Sequence, residues 1–440
     1  MTEEQAYFRR STIIMLGAAI GGFAIEYALN LFLARTLTSP DYGDFKVAMA
    51  FLAIASMAVV VGGDRAAPRF LPAFLETDHR GGVWDYVRTF LLVAFALSAG
   101  VAAVTIMLSL LIYGGLDPQD HHPLVVASLV APFAAVVTLL GRVFLAAKLV
   151  GLSQLPWRIV YPLLLLVLVS IAAFLFDELT GVDVLWIVMI VALIVIVIQL
   201  FFLFRHQLMP LRRHPDIAVP KQWIVASVPM MLVGLLQIGM SQTDIFMVEL
   251  LSDSEAVVGY FGAATTTVYV IVLAQTVGVS VISPLVTGAL AEGGDAVRRL
   301  QERGFRLLFW LVAPLCAGIV VFAPFIMSLF GVCYVEATAA LQILTIGYGV
   351  SSVLALSPLW LQFAGKERAT MWVTLAVFLA NIPLNAVMVP LYDIDGAAIS
   401  TTVSLFVAAV VLSVLMRRDI NASPWPVGSA ITGLVIRNAR

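Results

Sequence analysis

Residues 11–34 read STIIMLGAAIGGFAIEYALNLFLA, an unbroken apolar run that carries one carboxylate, Glu26, and one amide, Asn30. Its length decides the class of fold, because about 20 helical residues at a rise of about 1.5 Å each cross a hydrocarbon layer of ~30 Å. The run is too long for a signal peptide's apolar core, its leader is partly acidic (Glu3, Glu4), and no small-residue cleavage site follows. It is read as the first membrane span.

Eleven further runs of this kind follow, at about 45–63, 86–113, 123–147, 156–176, 184–204, 223–248, 256–285, 304–330, 337–363, 370–391 and 396–416. With 61% hydrophobic and 12% charged residues and a mean hydropathy of +1.02, a soluble core is excluded. The expected class is an all-α polytopic membrane protein with 12 transmembrane helices.

Sorting basic residues by loop sets the expected orientation. With twelve spans and both termini cytoplasmic, 23 of the 25 Lys and Arg fall on inner segments. Only Arg35 and Lys46 fall outside, where the loops carry acids such as Asp117, Asp120, Glu178, Glu255 and Asp393. This is the positive-inside pattern, and one missed span would scramble it. Trp84, Trp157, Trp223, Trp360 and Trp372 fall near the expected inner helix ends, where an indole ring suits the headgroup layer. Cys316 and Cys333 are too far apart along one helix to bridge. The His121–His122 pair reads as a solvated loop, and no spacing suggests a zinc site, a nucleotide loop or a catalytic triad.

The chain also repeats itself. LTSPDYGDFKVA at 37–48 resembles LSDSEAVVGYFGAA at 251–264, each joining one span to the next, and Pro68 pairs with Pro284 and Glu76 with Glu292 at one common separation. Six spans per half is an even number, so both halves enter from the same side. They are therefore expected to be parallel repeats about an axis along the membrane normal, with the substrate site between them. The expected organisation is a six-helix lobe over 1–204, an inter-lobe linker over 205–222, a second six-helix lobe over 223–416 and a tail over 417–440. Within the tail, 425–436 is apolar but too short to span, and Arg437 and Arg440 suit an interfacial segment.

Ionisable groups at membrane depth mark pathways more often than they mark packing. Glu26 and Asn30 share a face of the first span, and Gln237, Ser241 and Asp244 share a face of the seventh. Asn30 aligns with Asp244 across the halves. Thr266, Tyr269 and Gln275 follow on the eighth span, so these three helices are expected to line a hydrated cleft. Hydrogen bonding between packed helices is the competing reading of the same polar residues.

LFGVCYVEA at 329–337, LQIL at 341–344, and the run from NIPLN at 381–385 to PLYDIDGAA at 390–398 resemble the polysaccharide transporter branch of the multidrug/oligosaccharidyl-lipid/polysaccharide exporter superfamily. The 37–45 stretch resembles that family's first outer loop, and the likeness covers essentially the whole chain. Asp393 departs from the pattern, standing where the family often has Gly. The resemblance implies a flippase for a lipid-linked oligosaccharide, built as two lobes that open alternately to the two sides. It also implies membrane lipids and polysaccharide assembly proteins as partners, a functional monomer, and no nucleic acid.

A diphosphate must be met by cations, preferably the planar fork of Arg. Candidates are Arg35 and Lys46 at the expected outer span ends, and Arg65, Arg69, Arg142 and Arg306 at inner ends, where binding of anionic headgroups competes as a role. No cofactor is expected, although Glu26 or Asp244 could take up H+ or Na+ to drive transport. A multidrug exporter of the same superfamily is the nearest alternative, and Arg35 and Lys46 at the cleft mouth count against it. A membrane glycosyltransferase or polymerase would need a long outer loop, and every outer loop here is about a dozen residues or fewer.

Overall fold

The computed structural model describes residues 3–75, 81–113, 123–176, 178–208, 220–252 and 254–420. The His121–His122 pair, Glu76, the linker over 209–219 and the tail over 421–440 lie outside the described residues. Every regular element among those described is helical. In chain order they are α1 (Glu3–Thr36), α2 (Ser39–Val60), α3 (Gly63–Leu75), α4 (Gly81–Tyr113), α5 (Pro123–Ala146), α6 (Val150–Leu155), α7 (Tyr161–Leu175), α8 (Gly181–Arg205), α9 (Pro220–Leu251), α10 (Glu255–Glu292), α11 (Gly294–Phe330), α12 (Thr338–Val353), α13 (Leu356–Phe363) and α14 (Glu367–Ile420). A π-helical turn, Pro156–Val160, fuses α6 to α7, and a 3-10 turn, Cys333–Ala337, leads into α12.

Eleven stretches are long and apolar enough to cross a membrane. The last of them, Glu367–Arg418, has 52 residues, about 78 Å if straight at ~1.5 Å per residue. It is broken at Asp393, whose φ of 53° and ψ of −131° are not helical. Each limb then has the length of one span, which restores the twelve crossings expected from the sequence. Large apolar side chains such as Leu111, Phe174, Trp310, Val321 and Val414 are exposed, as a lipid-facing surface requires. The chain is a multi-pass membrane protein.

The chain divides into two compact units, Met1–Glu249 with Asp253–Gly262, and Leu250–Ser252 with Ala263–Arg440. Most of α9 thus groups with the first unit. Grouping by contact follows packing, whereas the repeat follows sequence.

In the first unit α5 is the hub, with 78% of its most apolar window buried and α2, α3, α4 and α8 packed around it. Its Leu139, Leu140, Val143 and Phe144 join Tyr86 and Phe90 of α4 and Trp223 of α9 in one apolar cluster. Trp223 sits 5.2 Å from the Tyr86 ring, between centroids. In the second unit α12 packs on α11 and α14. Because lipid gives no hydrophobic drive for helices to associate, close approach at small residues carries the packing. A Cβ on Gly347 of α12 would lie 2.5 Å from Thr402 Oγ1 of α14. Trp360 is fully buried among Leu308, Leu356 and Met416. The tryptophan expectation therefore divides: Trp157 and Trp372 are exposed, whereas Trp223 and Trp360 are core residues.

The duplicated motif has a local role. Thr38 caps α2 by accepting from Asp41 N at 3.2 Å, Pro40 occupies the first turn, and Asp41 Oδ1 accepts from Gly181 N at 3.2 Å. A Cβ on Gly43 would lie 3.0 Å from Gly259 N, and one on Gly259 would lie 2.5 Å from Ser39 O and 3.3 Å from Gly43 N. The matched glycines of the two repeats thus face each other, backbone to backbone.

The 381–398 block is explained in the same way. Asn385, with no exposed surface, donates to Asn381 O and Oδ1, and Asn381 donates to Ser404 Oγ at 3.1 Å. The chain turns sharply at Asp393, where a positive φ favours the glycine common in the family. Ser252 Oγ donates to Asp393 Oδ1 at 2.6 Å and holds the turn. A non-glycine residue in such a region costs about 1–3 kcal/mol, more than one exposed hydrogen bond returns. Asp393→Gly is therefore expected to raise thermal stability by about 1 kcal/mol, whereas Asp393→Ala lowers it by losing the bond and keeping the strain. Thermal unfolding of both variants in detergent checks this, and destabilisation by the glycine would refute the strain argument.

Candidate functional site

Two polar centres lie in the first unit. The first joins α1 to α2. Asn30, 6% exposed, donates from Nδ2 to the Glu26 carbonyl at 2.8 Å. Its Oδ1 accepts from Tyr42 Oη and from Lys46 Nζ, each at 3.0 Å. Lys46 also lies over the Tyr42 ring, 5.7 Å from the centroid. The Glu26 side chain is exposed along α1 and lies within electrostatic reach of Lys46 and of Tyr161 on α7.

Lys46 is thus half-buried and tied to Asn30 in the second turn of α2. Replacing Asn30 by Leu removes three hydrogen bonds, each worth about 1 kcal/mol. Loss of about 2–4 kcal/mol is expected, read as a lower unfolding temperature. An unchanged temperature would show that the network contributes nothing to folding.

The second centre is a cavity of ≈ 540 Å³ lined by Asp64, Arg65, Pro68, Arg142, Pro229, Met230 and Val233. A glycine corner builds it. After α2, Val61 (φ 53°) and Gly62 (φ 73°) turn the chain into α3. A Cβ on Gly62 would lie 2.4 Å from Ser227 O of α9, and one on Gly63 would lie 2.3 Å from the Phe90 ring of α4. Tyr86 Oη donates to Gly63 O at 2.6 Å and fixes the corner. Asp64 and Arg65 follow directly and form part of the cavity wall, while Arg142 reaches it from α5, where apolar neighbours at 139, 140, 143 and 144 are all buried.

Gly234 makes room for one of these groups. A Cβ there would lie 2.6 Å from Arg65 Cζ and 2.7 Å from Nε. Arg65 Nη1 donates to Gln237 Oε1 at 3.4 Å, while Nε is buried without a partner among the described residues. Asp64 is 7% exposed, and its Oδ1 has no hydrogen-bond partner among the described residues. Two guanidinium groups and a buried carboxylate thus share one concave wall.

The residues singled out in the sequence are distributed as follows. Arg65 and Arg142 share the cavity, and Gln237 touches it through Arg65. Glu26, Asn30 and Lys46 form the other centre. Asp244 is 6% exposed on α9, and Ser241 one turn earlier donates to Ile238 O at 2.8 Å. In the second unit Thr266 is buried, Tyr269 is 39% exposed and Gln275 accepts from Ser352 Oγ at 2.8 Å. Arg35 and Arg306 are exposed; Arg69 lies 5.5 Å from the centroid of the Phe70 ring.

Asp64 and Gly234 are absent from the candidates named from sequence. The available signal was the tetrad Gly62-Gly63-Asp64-Arg65, two opposite charges adjacent in sequence and placed directly after two residues that invite close packing. Both cysteines are free thiols.

The fold defines a class, the all-α multi-pass membrane proteins. The chain belongs within it to the polysaccharide biosynthesis protein family, whose sequence profile matches residues 8–289. The MatE profile matches residues 229–387. No curated protein sequence matches the chain. Among solved structures, the inward closed conformation of the lipid II flippase MurJ aligns with a TM-score of 0.73 at 13% identity, covering 92% of this chain and 87% of its own. An inward-facing multidrug resistance MATE family transporter aligns at 0.66 and 14% identity, covering 96% and 95%. A MOP superfamily transporter from Pyrococcus furiosus aligns at 0.63 and 13%, covering 93% and 95%. At these identities the likeness is one of fold.

Proposed function

We propose that the protein is a flippase that translocates a polyprenyl-(di)phosphate-linked oligosaccharide across the cell membrane by alternating access of two lobes. The observation that carries this reading is the placement of Arg65 and Arg142 in the wall of one cavity, where planar forks suit phosphate oxygens. Membership of the polysaccharide biosynthesis family supports it. By the distribution of basic residues these arginines face the cytoplasm, the side on which such a lipid would be loaded. Asp244, buried on α9, is the better placed of the two acids to couple transport to H+ or Na+, since a carboxylate shielded from water changes charge when a cleft opens.

The test is reconstitution into liposomes with a fluorescent diphosphate-linked oligosaccharide lipid and an impermeant quencher. Protein should raise the rate at which inner-leaflet lipid becomes quenchable above the rate in protein-free vesicles. A second reading, a cation-coupled multidrug exporter, is favoured by the MatE match over 229–387. Export of an amphipathic cation by vesicles that fail to flip the glycolipid would decide for it.

Gly234→Ala separates binding from folding. The atoms a new Cβ would meet are the end of the flexible Arg65 side chain and Met57 Sδ, so the helix can tolerate it while the guanidinium cannot stay. Unfolding temperature should move by no more than the equivalent of about 1 kcal/mol. Affinity for a diphosphate lipid should fall about tenfold, near the low end for a lost charge-assisted bond.

A further inference from the structure

We infer that α11 carries a docking site for an anionic phospholipid of the bilayer, whose phosphate is held by Arg303 and Arg306 while an acyl chain lies along Trp310, Pro314, Ala317 and Val321. The inference is independent of the flippase reading.

The length of α11 places these groups. Residues 307–330 are uncharged, and at ~1.5 Å per residue they cover about 36 Å, enough for a hydrocarbon layer of ~30 Å. The turns before them, from Gly294 to Arg306, therefore stand in the headgroup layer and beyond it. Their inward face is occupied. Ala296, Val297 and Leu308 join the buried cluster around Trp360, and Gln301 and Gly304 are buried as well. What points away is basic: Arg299, Arg303 and Arg306 are all exposed, and their spacing of four and three residues keeps them on one face.

That face runs on unbroken into the apolar part of the helix. Trp310, Pro314, Ala317 and Val321 follow at intervals of four, four, three and four residues, and each is exposed. A Cβ on Gly318 would meet nothing within 4 Å, so the small residues leave a shallow recess below the indole. Phe309 supports that ring edge-on, at 5.7 Å between centroids and 82° between planes. Along the axis Arg306 stands about 6 Å above Trp310, and Arg303 about 4.5 Å higher again. Side chains three apart on a helix are neighbours, so the two guanidinium forks can converge on one phosphate. Glu302 is engaged by Arg298 Nε at 3.2 Å, and Arg303 has no ion pair among the described residues. A lipid lying in the recess thus brings its phosphate to cations that the protein leaves available. None of these residues lines the cavity of Arg65 and Arg142, and the face is open to bulk lipid, which makes a bilayer phospholipid its occupant.

The competing identity is a diffuse attraction shared by all basic groups at this end of the second unit. Arg417 and Arg418 supply the comparison, because both are exposed and follow Met416, which packs in the same cluster as Val297. The full chain in neutral detergent is given phosphatidylglycerol, phosphatidylcholine and a polyprenyl diphosphate, and retained lipid is read by native mass spectrometry. At roughly fivefold per arginine beside an anionic headgroup, the wild type should retain phosphatidylglycerol over phosphatidylcholine by at least about tenfold. Arg303→Gln with Arg306→Gln should bring that preference below about threefold and remove the rise in unfolding temperature that phosphatidylglycerol gives the wild type. The single variants, each costing about three- to fivefold, serve if the double variant folds poorly. Arg417→Gln with Arg418→Gln should change neither quantity.

Equal retention of the two phospholipids by the wild type, or an equal loss in the Arg417 and Arg418 variant, overturns the site. Preferential retention of the polyprenyl diphosphate through Arg303 and Arg306 overturns the phospholipid assignment. Flipping in liposomes is read separately, so either reading can fail while the other stands.

Discussion

Replacement of Gly396 by Ala should abolish folding of the second unit. A Cβ at this position would lie 2.0 Å from Met388 O, 2.5 Å from Met388 C and 3.0 Å from Val389 N. These are backbone atoms of the preceding limb of α14, so no rotamer change relieves the contact. Relief requires the two limbs to part, and Ala397, Ala398 and Ser400, none with exposed surface, would lose their packing. Forced overpacking against backbone belongs to the small set of mechanisms that exceed about 4 kcal/mol, a large part of the stability of an ordinary domain. The variant should fail to elute as a single species from size exclusion in detergent. Gly318→Ala on α11 is the control, because nothing lies within 4 Å of the new Cβ and alanine is the better helix former by about 0.5–1 kcal/mol. A folded Gly396→Ala protein would mean that the limbs are not in contact at this point.

That glycine also shows what sequence could and could not tell. The spans were legible because crossing a bilayer demands about 20 apolar residues whatever the partners, and the break in α14 at Asp393 falls between the two runs separated on hydropathy alone. The reason for Gly396 was not legible, since its neighbour is a carbonyl eight residues earlier, brought close only by the turn at Asp393. The same holds for Lys46. Its position near a span end suggested an outer cation, and only packing of α1 on α2 shows it bonded to Asn30. Arg65 and Arg142 were both candidates, but 77 residues separate them and nothing in the order of residues says that α3 and α5 adjoin. Asp64 was hidden because its burial beside Arg65 and Arg142 follows from the glycine corner before it, which only three-dimensional surroundings reveal. Span length and charge asymmetry are local quantities, whereas a site is a coincidence of distant ones.

The second large effect concerns that coincidence. Arg65→Gln and Arg142→Gln, combined, should lower affinity for a polyprenyl diphosphate by at least about a hundredfold and stop flipping in liposomes. Each guanidinium can give a charge-assisted bond of about 1.5–3 kcal/mol, or roughly tenfold to a hundredfold singly at ~1.4 kcal/mol per decade. Two groups on one ligand are coupled, so the double variant is not the simple product of the singles. Lysine at the same positions restores charge without the planar fork, and it should recover only part of the affinity if geometry matters. Folding is a separate question, because among the described residues Arg65 Nε is buried without a partner and its Nη1 makes a long contact to Gln237. Removing a charge held so poorly should cost little stability, and relieving the buried group can raise it. Unfolding temperature therefore stays near wild type while transport is lost. If instead the double variant flips the glycolipid at the wild-type rate, the cavity is a packing feature of α3, α5 and α9, and phosphate is met elsewhere in the protein.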